Sequence, residues 1–235
     1  MRAFHTRLWI PLIIGLGLCA SPAFGLSILL APGLHVDIEI TTRLLELGHS
    51  VTESDPATWD GLFDYSPYDV VAFEFSSSNP SDASNLMAAV DAGLVGVVVF
   101  RGPNGAGSIT ETLGLISEQE ISFQNGHQAS ILAAPHPITQ NHIPATYDLG
   151  YTNMCKVDHP GAETTTLVAG PDGAALVVHN TRRAVVTPFY GHFAGYDTEN
   201  QVGRDLTERS LVWAAGDLVA SHRTSWGAVK SLFAR

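Results

Sequence analysis

The sequence predicts an α/β protein with a doubly wound, mostly parallel sheet that gains an antiparallel hairpin late in the chain. Three observations predict it. Short apolar runs at 27–31, 69–75 and 94–100 lack the polar alternation of a half-exposed strand, as strands covered on both faces do. Helical patterns separate those runs in the first half. In the second half two apolar runs instead flank a short polar turn, the pattern of a β-hairpin. Strand, helix, strand, helix, strand is the signature of a sheet wound with helices on both faces.

Ser27 to Ala31 reads as the first strand, stopped by Pro32 and Gly33. A helix fits Leu34 to Leu47, with Leu34, Ile38, Thr41, Leu44 and Leu45 on one face and Gly48 as its left-handed terminus. Val51 to Glu53 is a second strand and Asp69 to Phe75 a third. Ser81 to Ala92 is helical, with Leu86, Met87 and Val90 inward, and Leu94 to Phe100 is the fourth strand. Residues 104–170 are rich in Gly, Pro, Asn and His, and only pieces near Ile121 to Phe123 and Thr165 to Val168 read as strands. Ala174 to His179 and Ala184 to Tyr190 form the hairpin around Asn180 to Arg183. A last helix begins at Thr198, where Gln201 completes a capping box, and runs through Leu206, Leu211, Val212 and Trp213 to Gly216. Residues 217–235 read as an appended amphipathic tail, and 26–216 as one domain without repeats or linkers.

The 235 residues are 45% hydrophobic and 15% charged, so the chain is neither disordered nor fibrous and is long enough for a core without cross-links. A formal charge of −11 and the absence of any basic run oppose phosphate backbones, so nucleic acid is not an expected partner. The first 25 residues have the layout of a secretory signal peptide. Arg2 and Arg7 precede an apolar core from Leu8 to Leu18, and Ala23-Phe24-Gly25 provides small residues where a peptidase needs them. Cleavage after Gly25 starts the chain at Leu26 and predicts a secreted or periplasmic protein with no stable membrane span. Removal of two arginines leaves 10 Lys and Arg against 23 Asp and Glu, a charge of −13. It also removes Cys19, so Cys155 has no partner for an intrachain disulfide and reads as a buried small hydrophobe rather than a nucleophile.

In an open α/β sheet, ligands bind outside the carboxyl ends of the strands, where loop amides and helix N-termini converge. That rule selects His35, Glu74 with Ser76 to Asn79, Arg101 to Gly107 and Gly191-His192. The loop holding Arg101, Gly102, Asn104 and Gly105 presents backbone amides, but it has neither the Lys-Ser/Thr ending of a P-loop nor G-x-G-x-x-G spacing. Glu74 is a carboxylate in an apolar strand segment, placed opposite Phe73 and Phe75 or at the strand's mouth. It is either a general acid or base or the partner of Arg101. His192 precedes Asp197, Glu199 and Asn200, which either orient its imidazole or stabilise the next helix. The histidines form no metal motif, and His49, in a helix-to-strand turn at the opposite edge of the sheet, reads as structural. No cofactor is indicated.

Several of these segments together resemble a family. Tyr68-Asp69-Val70-Val71, Val97 to Gly102, His136-Pro137-Ile138-Thr139, and Ala184 to His192 followed by Arg209 to Gly216 are similar to the trehalose-utilisation (ThuA-like) proteins. That family lies within the class I glutamine amidotransferase-like superfold, a flavodoxin-like arrangement. The resemblance spans nearly all of 26–216 and implies the fold more than an activity. Amidotransferases place a nucleophilic Cys in the turn after the fourth strand and a His after a late strand. Here the turn reads Gly102-Pro103-Asn104-Gly105, so glutaminase chemistry by the family mechanism is excluded, while His192 matches the late His in kind. Three functions stay open: a domain binding a small polar or carbohydrate ligand, which the missing nucleophile favours; an acid/base enzyme acting on a sugar derivative; and an envelope interaction module.

Overall fold

A computed structural model describes residues 25–33, 38–74, 77–100, 107–118, 122–125, 128–132, 136–140, 142, 145–148, 153–187 and 201–216. The strands are β1 (Ser27–Ala31), β2 (Ser50–Glu53), β3 (Val70–Phe73), β4 (Gly96–Phe100), β5 (Ser122–Asn125), β6 (Gln128–Ile131), β7 (Thr146–Asp148), β8 (Asn153–Lys156), β9 (Thr164–Ala169), β10 (Ala174–His179) and β11 (Ala184–Thr187). The helices are α1 (Ile38–Glu46), α2 (Ala83–Asp91), α3 (Gly107–Thr112) and α4 (Gln201–Ala215).

Nine strands make one mixed sheet in the order β2-β1-β3-β4-β11-β10-β9-β6-β7, and β5 pairs with β8 alone. From β2 to β11 every neighbour is parallel, with Val97 to Val99 of β4 lying beside Val71 to Phe73 on one side and Val97 to Phe100 beside Ala184 to Thr187 on the other. The β10 strand then runs antiparallel to both β11 and β9, and β6 and β7 continue in that style. The predicted doubly wound sheet with a late hairpin is therefore the observed one. Its β11 arm is a fifth parallel strand.

Alternation along the apolar strands divides the core into two layers. Ile28, Leu30, Val70, Ala72, Val98, Phe100 and Val185 face Leu44 of α1 and Leu206, Leu211 and Ala214 of α4. Leu29, Ala31, Val71, Phe73, Val97, Val99 and Val186 face Leu86, Ala89 and Val90 of α2 and Ile109 of α3, with Trp59 and Tyr65. No residue of β3, β4 or β11 reaches solvent, which is why these strands carry apolar side chains at odd and even positions alike.

The boundaries differ from the expectations in definite ways. Leu45 is 52% exposed and does not share the buried face of Leu44, because one helical step of 100° turns it to solvent. Leu94 is likewise exposed, so β4 starts at Gly96. The α2 helix starts at Ala83 rather than Ser81, capped by Asp82, which accepts from the Ser84 N–H at 2.9 Å. Gly48 takes the expected left-handed φ of +87°. The α3 helix and strands β6 to β8 were not anticipated, since segments of three to six residues with mixed polarity carry no readable period. The leader, Leu34, Pro188 to Tyr190, the Thr198 cap and the 217–235 tail lie outside the described residues.

At the amino ends of the strands, two arginines at the hairpin tip fasten the helices. Arg182 Nε donates to Asp91 Oδ1 at 2.6 Å and its Nη1 to the Leu113 carbonyl at 3.2 Å. Arg183 donates to the Ala215 carbonyl at 2.6 Å and to the Gly93 carbonyl. Both cations thus sit on carbonyls that helix C-termini leave without intrahelical partners. Nearby, α4 presses against the start of β4 so closely that a Cβ on Gly96 would stand 2.0 Å from the Ala214 carbonyl oxygen. Backbone cannot yield as a flexible side chain does, so Gly96→Ala is expected to destabilise the protein by about 1–3 kcal/mol or more, read as a lowered urea midpoint.

Candidate functional site

The parallel strands deliver Ala31, Phe73, Phe100 and Thr187 to one edge of the sheet as neighbouring carboxyl ends. Glu74 is the first residue beyond β3. The structure therefore places it at the strand's mouth, and it is only 5% exposed. Its N–H still pairs with the Ala31 carbonyl at 3.1 Å, and its Oε2 accepts the Gly33 N–H at 2.8 Å. Gly33, read from sequence with Pro32 as a strand stop, thus also provides a donor to a buried carboxylate.

Three residues on, the Ser77 N–H donates to the Glu74 carbonyl at 3.1 Å. Ser77 is 1% exposed, and its Oγ has no hydrogen-bond partner among the described residues. A buried hydroxyl left unpaired costs about 1–3 kcal/mol, so its place three residues after Glu74, at the edge where open α/β sheets bind ligands, is the most informative feature of this region. Thr187, at the end of β11, is also fully buried there. Of the residues selected from sequence, the structure describes Glu74 here, while His35, Arg101, Gly102, Asn104, Gly105 and His192 lie outside the described residues. So does the anticipated Glu74–Arg101 pair.

Other histidines are accounted for by packing. The His136 to Thr139 turn docks on α4. Ile138 is fully buried, Arg209 Nε donates to the Ile138 carbonyl at 2.8 Å, and Arg209 also reaches the Pro137 carbonyl. The His136 ring lies 5.1 Å from that of Trp213, and its Nδ1 accepts the Ile138 N–H at 3.2 Å. Burial lowers its pKa to about 4. His142 Nε2 meets Asp205 Oδ2 at 2.7 Å, one helical turn before Arg209. His179 is buried at the hairpin tip, where its Nδ1 accepts the Thr181 and Arg182 N–H groups. His49 is buried at the amino-end edge, as its helix-to-strand position implies. Sequence reasoning did not find the α4 dock, although Asp205 and Arg209 are spaced i, i+4 on a helix. Among the described residues no three His, Cys, Asp or Glu side chains cluster as a metal site would need.

No protein-family model matches the sequence, and a search of curated proteins finds no relative. Solved structures do match. A ThuA-like protein of Bacteroides uniformis superposes with a TM-score of 0.55 at 14% identity, covering 83% of this chain and 91% of that one. The fold is that of ThuA-like proteins. A GMP synthase component of Thermoplasma acidophilum gives 0.52 at 16% identity over 86% and 98% of the two chains. A cytoplasmic protein of Salmonella typhimurium gives 0.54 at 11% over 80% and 99%. The ThuA-like, class I glutamine amidotransferase-like fold anticipated from short apolar motifs is thus present. A fold shared at these identities leaves the chemistry to the residues at the site.

The His-Pro-Ile-Thr turn has a measurable consequence. An unfolded His titrates near its ordinary value of 6.5, so the folded chain resists a proton that the unfolded chain accepts. The contribution of His136 is complete above pH 6.5 and is lost as pH falls from there to about 4. Melting temperature should drop across that window, and His136→Gln should flatten part of the drop. An unchanged pH profile in the variant would show that the ring does not control the turn.

Proposed function

We propose that the protein is an exported binding domain that holds a small neutral polyhydroxy ligand, a carbohydrate, at the carboxyl ends of its parallel strands. The Ser77 hydroxyl carries this reading. It is buried and unpaired among the described residues, and its own N–H donates to the Glu74 carbonyl at the edge where this class of sheet binds ligands. A ligand hydroxyl both donates and accepts, so it pairs with Ser77 and tolerates a neighbouring carboxylate. An anionic ligand meets repulsion from Glu74 and from an exported chain of net charge −13. The apolar leader ending in Ala23-Phe24-Gly25 supports export. Without a Cys in the turn after β4, the site has no amide-attacking nucleophile of the amidotransferase kind.

Thermal shift against a panel of neutral mono- and disaccharides tests the reading. At least one sugar should raise the melting temperature of the wild type. Ser77→Ala breaks no bond in the free protein, so its intrinsic stability should change by no more than about 1 kcal/mol, while the sugar response disappears. A panel without any response overturns the carbohydrate assignment. A response that survives Ser77→Ala moves the ligand away from this edge.

A further inference from the structure

The opposite end of β1 has surroundings that an ordinary backbone amide does not require. Leu26 is 3% exposed, its side chain lies in the α1/α4 layer, and its carbonyl accepts the Ser50 N–H at 2.8 Å. Its nitrogen donates to His49 Nδ1 at 3.1 Å. His49 is buried and its Nε2 has no partner among the described residues. Burial lowers its pKa and keeps the ring an acceptor at neutral pH, while the Glu208 carboxylate on α4 acts near enough to oppose that shift. One residue along, the Ser27 N–H donates to Asp69 Oδ2 at 2.7 Å. That bond lies on the β3 side of the strand, and on the β2 side a basic ring nitrogen with the Glu208 carboxylate near it is the environment that a primary ammonium, rather than a neutral amide, uses fully.

We infer that His49 Nδ1, with the Glu208 carboxylate near it, is the receptor for the α-amino group of Leu26 created when the leader is removed. The inference rests on the export reading above. Hydrolysis of the Gly25–Leu26 bond adds one water: the leader departs with a Gly25 carboxylate, and the exported chain keeps the Leu26 nitrogen as an ammonium. An uncut chain must thread position 25 past Gly48 so tightly that a Cβ there would stand 1.9 Å from the Gly48 carbonyl oxygen. Cleavage removes that constraint and gives His49 a charged donor in place of a neutral one. The docked amine then ties β1 to the α1–β2 turn and to α4, so processing strengthens the edge of the sheet where the chain begins.

The test uses protein exported from the full-length precursor. Its first residue is determined, and its amines are then acetylated with a succinimidyl ester near neutral pH, in native buffer and in urea, with rates read by peptide mass spectrometry. The Leu26 amine should react about ten-fold more slowly in the native protein, the factor a charge-assisted hydrogen bond supplies. His49→Ala should bring the native rate toward that in urea. Should that variant not fold, Glu208→Gln, on the exposed side of α4, should raise the native rate several-fold. A different first residue overturns the export reading and this inference with it. A chain beginning at Leu26 whose amine reacts as fast in native buffer as in urea overturns the docking alone.

Discussion

Burial of β4 on both faces is the constraint to which the other elements answer. A parallel strand between two parallel neighbours has every backbone group in the ladder and none in water, so its side chains need helices above and below. One layer is closed by α2 and α3 and the other by α1 and α4, and the single glycine at the head of β4 allows the end of α4 to touch the strand backbone. Arg182 and Arg183 then hold the helix C-termini from the hairpin tip. The antiparallel turn between β10 and β11 therefore fastens the parallel half as well as extending the sheet.

This arrangement gives the two ends of the sheet different characters. At the amino ends, polar groups are consumed in fastening: guanidinium groups on helix carbonyls, His179 on turn amides and His49 on the Leu26 nitrogen. The His-Pro-Ile-Thr turn is of the same kind, with its carbonyls taken by Arg209. At the carboxyl end of β3, a buried carboxylate takes the Gly33 amide, and the buried hydroxyl of Ser77, three residues after it, is left without a partner among the described residues. The fastening bonds are made within the chain, whereas the Ser77 hydroxyl at the carboxyl end makes none among the described residues.

The parallel core was legible because strands buried on both faces must be apolar at every position, and that leaves a trace in sequence which no surface strand imitates. The hairpin was legible because two such runs flank a four-residue polar turn. Glu74 stood out for the same reason, as a carboxylate next to a run that excludes charge. Strands β6 to β8 and helix α3 left no such trace, since each is short and partly polar and is fixed by neighbours distant in the chain. His136 shows the limit from the other side: its motif is visible in sequence, but whether its ring meets a ligand or a tryptophan depends on α4, more than seventy residues away.

The sequence by itself therefore determined the fold class, the placing of the main strands and helices, the acidic character and the lack of a nucleophile after β4. These are properties of local pattern and composition, which each segment carries with it. Only the tertiary structure decided that Gly33 serves Glu74, that Ser77 is buried without a partner among the described residues, that two hairpin arginines hold helices from both layers, and that the Leu26 nitrogen meets His49. Each of these joins groups whose distance is set by sheet order and helix packing, and hydrogen bonding at about 3 Å has no expression in sequence spacing when the partners arrive from different elements.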